Sequence, residues 1–549
     1  MYGYIPRVQP TLRSFVGNFR AVNIAANMAF QLKRVLISDS LDPCCAKILE
    51  ENGIAVDTKT KLSKEELVAE ISNYDGIVVR SATKVTAEVI AASKNLRIIG
   101  RAGTGVDNID IGAASKKGII VMNTPAGNTL SAAEHTCAMI CAMSRNIPQA
   151  HMSMKSGKWD RKSFMGSELY GKTLAIVGLG RIGREVALRM QSFGMTTIGF
   201  DPLVPPEVSA TFNTEWLEVK DIWPRADYIT VHTPLIPQTK GLLNDESFQQ
   251  CKKGVRVLNI ARGGIIDEEA LLRALNSGQC AGAALDVFVE EPPTNRDLVD
   301  HPHLIATPHL GASTTEAQKR VAEEIAEQFV DLVKGKRLEG GVNAMALSNA
   351  LSPDTRPVVS LGQGLGAVAA ALAGEVNAKT KVQINTYGTD LESAGSFLPA
   401  AVAVGVLKAQ VANSLNLVSA PFYAKELGIK ITCQHSNEGL ANCKTGVTLT
   451  LDNNGAIHKV TGTVQGTGPL LVDVGGATFM GGVLLSGNVL LYKGGQLSAI
   501  TGALAGSSQV LSYSSTEGSD GWSAMHLAQP LASLDAIKSH ASQINQISL

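Results

Sequence analysis

Three polar side chains each follow a short apolar run. Residues 255–260 lead into Ala261-Arg262-Gly263-Gly264, 281–287 into Glu290-Glu291-Pro292, and 304–306 into Thr307-Pro308-His309. Their types suit alcohol oxidation. Hydride leaves a carbinol carbon only as its hydroxyl proton is removed, and an imidazole, which titrates near neutrality, can take that proton. A carboxylate beside the ring orients it and favours its charged form. A guanidinium grips a carboxylate through two parallel hydrogen bonds and polarises the neighbouring oxygen. Singly, each residue has a plainer explanation: a surface histidine, a solvated acidic pair, a structural ion pair. Ligands of open parallel sheets sit at the carboxyl ends of strands. Arg262, Glu291 and His309 are therefore expected to converge on one crevice.

A second pattern lies upstream. Residues 172–177 read as an apolar strand that runs into Gly178-Leu179-Gly180-Arg181-Ile182-Gly183. A helix over 184–193 and a strand over 196–200 follow, the strand ending in Asp201, 18 residues beyond Gly183. In this context the three glycines read as a dinucleotide fingerprint. Gly178 permits the tight turn, Gly180 lets a pyrophosphate approach the backbone, and Gly183 lets helix pack on strand. The helix N-terminus then carries the phosphate charge. Asp201 is expected to accept hydrogen bonds from ribose hydroxyls and to repel a 2′-phosphate, which favours NAD over NADP. The glycine-rich stretch 101–108 has Asn108 where the third glycine would stand and reads instead as a cleft loop.

These residues need strands and helices to place them. Strands are predicted over 33–38, 76–79 and 96–99, with helices over 63–71 and 87–93. Such alternation means a parallel α/β sheet. A long helix is predicted from Ser131 to about Lys155, its start marked by Ser131 and Glu134 as a capping box. Residues 171–312 form a second alternating unit, and 315–334 an amphipathic helix. Beyond residue 341 the density of charged residues falls to less than half. This C-terminal region divides near 475–482. Its tail reads strand (489–492), helix (496–504), strand (509–514), strand (522–527), helix (533–542).

Lys+Arg and Asp+Glu both number 49, which removes the generic electrostatic case for a nucleic-acid or membrane-surface binder. The eight cysteines include no C-x-x-C and read as reduced thiols. His301 and His303 lack further ligands at metal spacing, so no metal is expected. The apolar stretch 474–492 holds five glycines and reads as strands and turns, not as a membrane span. Residues 1–27 carry Arg7, Arg13 and Arg20 and no acid. That weakly suggests a mitochondrial presequence; the plainer reading is an upstream extension with Met28 as a second start, and 1–30 are expected to be disordered. The apolar face of the long helix exceeds what one domain covers, which predicts a homo-oligomer.

The motifs at 36–45, 79–86, 100–108, 178–185, 261–267, 278–288 and 308–314 resemble the D-isomer-specific 2-hydroxyacid dehydrogenases, and most closely their animal-type branch that acts on a phosphorylated acid. The resemblance runs almost continuously over 32–341. It implies two Rossmann-like parallel-sheet domains: a substrate domain over 31–125 and 313–341, with an NAD domain over 126–312 inserted. An intervening α+β domain (342–478) and a degenerate ACT-like regulatory tail (479–549) would follow. The tail departs from that branch in being short and glycine-rich, with no evident effector motif. The implied reaction is NAD-dependent oxidation of 3-phosphoglycerate to 3-phosphohydroxypyruvate, which commits carbon to serine, in a cytoplasmic homotetramer or homodimer. His309 would be the acid/base, Glu291 its partner and Arg262 the carboxylate anchor. Implied cofactor contacts are Thr104, Arg181, Ile182, Asp201, Thr233, Ile260, Ala261, Arg262, Asp286, His309, Leu310, Gly311 and Ala312. Implied substrate contacts are Arg80, Ser81, Arg101 and Gly103, with Arg161 supplied by a neighbouring subunit. Two alternatives stand beside this reading: a glyoxylate or hydroxypyruvate reductase, and an NAD-sensing binding protein like the C-terminal-binding-protein corepressors.

Overall fold

The structure, a computed structural model, describes residues 31–549 except 412–414, 441–442, 467 and 519–520. The expected disorder of 1–30 falls outside the described residues.

Two parallel sheets frame the N-terminal part of the chain. The first runs β2-β1-β3-β4-β5, from β1 (Arg34–Ile37), β2 (Ala55–Thr58), β3 (Gly76–Val79), β4 (Ile98–Arg101) and β5 (Ile120–Asn123). All its neighbours are parallel. β3 is buried at every position, as a strand covered on both faces must be. The helix Thr315–Val333 returns from the far side of the second unit to cover this sheet. Its N-cap Thr314 accepts the Ala317 N–H at 3.1 Å. It buries Val321, Ala322, Ile325, Ala326 and Phe329, the one-sided spacing of an amphipathic helix. Phe329 lies so close over β4 that a Cβ on Gly100 would come within 2.6 Å of its ring. The helix Cys44–Glu51 and strand β2 are additions to the elements expected from sequence.

The second sheet runs β12-β11-β10-β9-β6-β7-β8. Its strands are β6 (Thr173–Val177), β7 (Thr196–Phe200), β8 (Thr214–Trp216), β9 (Tyr228–Val231), β10 (Val255–Asn259), β11 (Cys280–Leu285) and β12 (Leu304–Ala306). The strand order reverses between β6 and β9, and ligands of such sheets bind at that reversal.

The long helix expected over 131–155 is two helices, Thr129–Ser144 and Ile147–Lys155. Asn146 between them has φ of +52°. Pro148 sits in the first turn of the second helix, where its missing N–H does no harm; mid-helix it would have broken the hydrogen-bond ladder. Ser144 also turns inward, and its hydroxyl meets Tyr228 Oη at 2.9 Å. Nor is Ser131 a cap: the helix begins two residues earlier, and its hydroxyl meets Thr314 Oγ1 at 2.7 Å.

The C-terminal region holds two further sheets. The first runs β14-β13-β15-β16-β17-β18 and is antiparallel except for the β13–β14 pair. These are β13 (Lys381–Tyr387), β14 (Lys430–Ser436), β15 (Gly446–Asn453), β16 (Ala456–Gln465), β17 (Gly468–Val474) and β18 (Ala477–Leu484). The helices Arg356–Ala373 and Leu398–Leu407 approach each other backbone to backbone: a Cβ on Gly405 would lie 2.0 Å from the Gln363 carbonyl. The tail sheet is antiparallel, ordered β20-β21-β19-β22, from β19 (Asn488–Lys493), β20 (Val510–Ser515), β21 (Trp522–Leu527) and β22 (Gln543–Ser548). The helix expected over 533–542 is only Asp535–Lys538, and the final strand β22 was not expected. With it the tail becomes strand-helix-strand-strand-helix-strand, with the first and third strands central. Among the described residues no single helix is long and apolar enough to cross a membrane; one pair, bent by 66°, passes only by length and composition.

Candidate active site

Asn259, at the end of β10, shapes the turn that presents Arg262. Its buried side chain accepts the N–H groups of Ala261 and Arg262 at 3.0 and 3.3 Å and donates to the Arg262 carbonyl at 2.7 Å. The sequence reading missed it; an amide inside an apolar run was the available signal. Gly263 brings this turn against the next loop, for a Cβ there would lie 1.9 Å from the Phe288 carbonyl oxygen. Glu291 is thus set beside Arg262. Its Oε1 accepts the Phe288 N–H at 3.2 Å and its Oε2 meets His309 Nδ1 at 2.9 Å. Burial works against the charged form of Glu291. The His309 ring, the Phe288 N–H and the Arg262 charge outweigh it and hold the carboxyl below its usual range.

His309 takes a left-handed backbone, φ +56°, and donates its N–H to the Asp286 carbonyl at 2.9 Å. The Asp286 side chain is fully buried beneath the same loop. It accepts the Thr307 hydroxyl at 2.6 Å and the N–H groups of Leu310 and Gly311 at 2.7 and 2.8 Å. His135 lies 3.4 Å away. Asp286 therefore supports the loop His309-Leu310-Gly311-Ala312 from below. Leu310 is exposed, Gly311 buried and Ala312 half-buried.

The opposite wall carries arginines. The guanidinium of Arg262 donates from Nε to Asp107 Oδ2 at 2.6 Å, across from the first unit. Arg101, at the end of β4, is pushed down to about 10 by burial first and by the like charges of Arg262 and Arg80 next. Burial also lowers Arg80, with Asp39 opposing. The Nε atoms of Arg80 and Arg101 are buried without a hydrogen-bond partner among the described residues. The Arg80 loop is clamped from two sides. Asp39 accepts the N–H groups of Arg80 and Thr83 at 2.5 and 3.2 Å, and Asn108 donates to the carbonyls of Arg80 and Thr83, both at 2.6 Å. Asp39 and Asn108 too escaped the sequence reading as loop supports. Ser81 is exposed on this loop. Gly103 has φ +148°, and a Cβ there would strike Arg101 at 2.1 Å. Arg161 stands apart, exposed beyond the helix Ile147–Lys155.

The expected dinucleotide site has the shape such a ligand needs. Gly178 has φ +100°, and a Cβ would sit 2.6 Å from the His232 carbonyl oxygen. A Cβ on Gly183 would lie 2.0 Å from the Gly178 carbonyl oxygen, so helix Arg181–Gln191 can seat only on a glycine. A Cβ on Gly180 would meet nothing within 4 Å, so the residue faces open space at the helix N-terminus. Arg181 is exposed and Ile182 half-buried on the first turn. Asp201, just past β7, accepts the N–H groups of Leu179 and Leu203 at 2.9 and 2.8 Å. A carboxylate has about four lone-pair sites, so capacity is left for hydroxyl donors. The Thr233 hydroxyl is buried without a partner among the described residues. Ile260 is buried and Ala261 half-buried beside the Arg262 turn. The Thr104 hydroxyl, by contrast, is engaged by Asn128 at 2.5 Å. These residues fit a dinucleotide. Among the described residues, no group of three His, Cys, Asp or Glu is placed to hold a metal.

Two parallel sheets meeting at a cleft, with a dinucleotide site on one wall and a His–Glu–Arg constellation at its mouth, define an NAD-dependent dehydrogenase. The comparisons agree. Residues 137–311 match the D-isomer specific 2-hydroxyacid dehydrogenase NAD binding domain, and 354–475 the D-3-phosphoglycerate dehydrogenase intervening domain. The chain is 55% identical over 536 residues to D-3-phosphoglycerate dehydrogenases of Rattus norvegicus and Homo sapiens, covering 94% of this chain and 99% of theirs. The Bacillus subtilis enzyme of that name is 43% identical over 81% of this chain and 84% of its own. Among solved structures, a Thermus thermophilus protein aligns at 33% identity with a TM-score of 0.52, over 56% of this chain and 99% of its own. A glyoxylate reductase from Paecilomyes thermophila aligns at 27% identity and TM-score 0.52, over 56% of this chain and 98% of its own. The chain belongs to the D-3-phosphoglycerate dehydrogenase family, within the D-isomer specific 2-hydroxyacid dehydrogenases.

Proposed function

We infer that this cleft oxidises 3-phospho-D-glycerate to 3-phosphohydroxypyruvate with NAD, the first step of serine biosynthesis. The observation that carries the substrate reading is the pair of buried, partnerless guanidinium nitrogens of Arg80 and Arg101 beside Arg262. Three cationic groups in one cleft suit an acid that bears both a carboxylate and a phosphate. Relatives named D-3-phosphoglycerate dehydrogenase at 55% identity support the same substrate.

In this reading His309 Nε2 takes the hydroxyl proton of the substrate. Glu291, bonded to Nδ1, holds the ring and stabilises the charge it acquires. Arg262 binds the carboxylate and Arg80 and Arg101 the phosphate. Gly178, Gly180, Gly183, Thr233, Asp201 and the loop 309–312 would hold NAD. When bound, NAD supplies the nicotinamide that accepts hydride from the carbinol carbon. The loops carrying Glu291 and His309 are tied to the sheet that binds the cofactor, so proton acceptor and cofactor share one rigid frame.

The reading also takes the enzyme to be a homo-oligomer. The helix Ile147–Lys155 has no buried residue and exposes Ile147, Met152 and Met154, and the next loop exposes Trp159, Met165 and Tyr170. A second copy covering this patch would also cover the loop that carries Arg161; light scattering on the purified chain measures the state. The ferredoxin-like order of the tail strands supports its reading as an ACT-like domain. Cytoplasmic location is favoured over mitochondrial, and a C-terminal fluorescent fusion with and without residues 1–27 decides.

The test is NADH formation from NAD with 3-phospho-D-glycerate, D-glycerate and D-lactate at alkaline pH, with a trap for the ketone. Turnover of the phosphorylated acid, lost in His309→Ala while NADH still binds, is expected. NADH binding without turnover of any 2-hydroxy acid would favour the binding-protein alternative.

A further inference from the structure

Asp107 lies on the loop after β4 and Arg262 on the turn after β10, so their 2.6 Å ion pair joins the two walls of the cleft. Two of the donors of Arg262 are already committed, one of them to Asp107. One terminal nitrogen donates to the Ala261 carbonyl at 2.6 Å. The other faces Gly105, where even a Cβ would come within 1.5 Å of it. A carboxylate is held best by two parallel hydrogen bonds along one guanidinium edge. Arg262 has one edge tied to its own backbone, and the Nε edge carries Asp107. An incoming carboxylate that takes the Nε edge must displace Asp107.

Asp107 is well placed to yield it. Its side chain is 66% exposed against 27% for Arg262, so it can swing into water. The balance then depends on what else the ligand engages. A phosphorylated acid also meets Arg80 and Arg101, whose buried Nε atoms lack partners. A simple 2-hydroxy acid gains only the contact that Asp107 gives up. We propose that Asp107 is a resident carboxylate that competes with the substrate for Arg262 and so sets how tightly the cleft holds a 2-hydroxy acid. The proposal rests on the functional reading above and deepens it.

The experiment compares Asp107→Asn with wild type on 3-phospho-D-glycerate and D-glycerate. The amide has the same shape and no charge. It is expected to raise kcat/KM for both acids about fivefold, the size of a solvent-exposed ion pair, through KM and not kcat. The phosphorylated acid should gain at least as much as D-glycerate, because the Asp107 charge also acts on Arg101. A rise in KM for both acids, a fall in kcat alone, or an unchanged kcat/KM for both would overturn the proposal, since Asp107 would then orient Arg262 or do nothing. Oxalate binding to the NADH complex, read by NADH fluorescence, gives a second measurement without turnover, and the variant should bind oxalate about fivefold more tightly. If wild type turns over neither acid, the functional reading fails, and oxalate affinity still decides on Asp107. If Asp107→Asn melts early, Asp107→Ser replaces it in both measurements.

Discussion

Asp286 Oδ2 accepts the Gly311 N–H at 2.8 Å from beneath the loop that carries His309. Oδ1 takes the Leu310 N–H and the Thr307 hydroxyl, so one buried carboxylate ties three donors. Asp286→Ala leaves them unsatisfied, at a cost of about 1–3 kcal/mol for a buried polar group left without its partner. Thermal unfolding should show that loss, and NADH should bind more weakly because the loop 309–312 is released.

The same carboxylate sets a pH dependence. Burial alone would raise its pKa, but His135, Thr307 and the two N–H groups hold it below the usual carboxyl range. Its folded-state pKa is depressed, so its stabilisation is present above the ordinary carboxyl pKa and lost as pH falls through the folded value. Wild type should lose unfolding free energy below about pH 4, and Asp286→Asn should show a shallower slope there.

His232 adds a second titration at milder pH. Burial pushes its imidazole down to about 4, while Thr230 Oγ1 meets Nε2 at 3.0 Å. The unfolded chain takes up a proton in the ordinary histidine range and the folded chain does not. Stability should therefore fall as pH drops from about 6.5 toward the folded value. Denaturant melts at neutral pH and near pH 5 should converge in His232→Gln.

The fingerprint glycines should separate folding from binding. Gly183→Ala would press a methyl onto the Gly178 carbonyl oxygen at 2.0 Å, so the melting temperature should drop. Gly180→Ala meets nothing within 4 Å and should melt like wild type. It should still bind NADH about tenfold more weakly, about 1.4 kcal/mol, because the methyl fills the space a pyrophosphate needs. Equal effects of the two variants on stability would contradict this division.

Asp201 should set cofactor choice. Asp201→Ala removes the charge that repels a 2′-phosphate and should shift the kcat/KM ratio of NAD to NADP toward NADP at least about tenfold. Because Asp201 also holds Leu179 and Leu203, a modest fall in melting temperature should accompany it.

Much of this architecture was legible from local pattern. Continuous apolar runs such as 76–79 and 255–260 announce buried parallel strands, because both faces of such strands must be covered. The three glycines and Asp201 announce a dinucleotide turn, because each role is met within one strand-turn-helix. What resisted reading were features set by groups distant in the chain. The helix break at Asn146 was half visible in Pro148, yet Ser144 turns inward for Tyr228, 84 residues away. Strand β22 is too polar to announce itself and exists because β19 offers it an edge. Asn259, Asp39 and Asn108 are ordinary polar residues until folding sets them against the loops they then hold. The residue types of the chemistry, His309, Glu291 and Arg262, follow from sequence alone, since proton transfer and carboxylate binding demand them. The 2.9 Å pairing of His309 with Glu291 was decided when β11 and β12 came side by side, and the occupation of Arg262 by Asp107, 155 residues away in the chain, only when the two sheets closed on one cleft, where burial and charge act through space and not along the sequence.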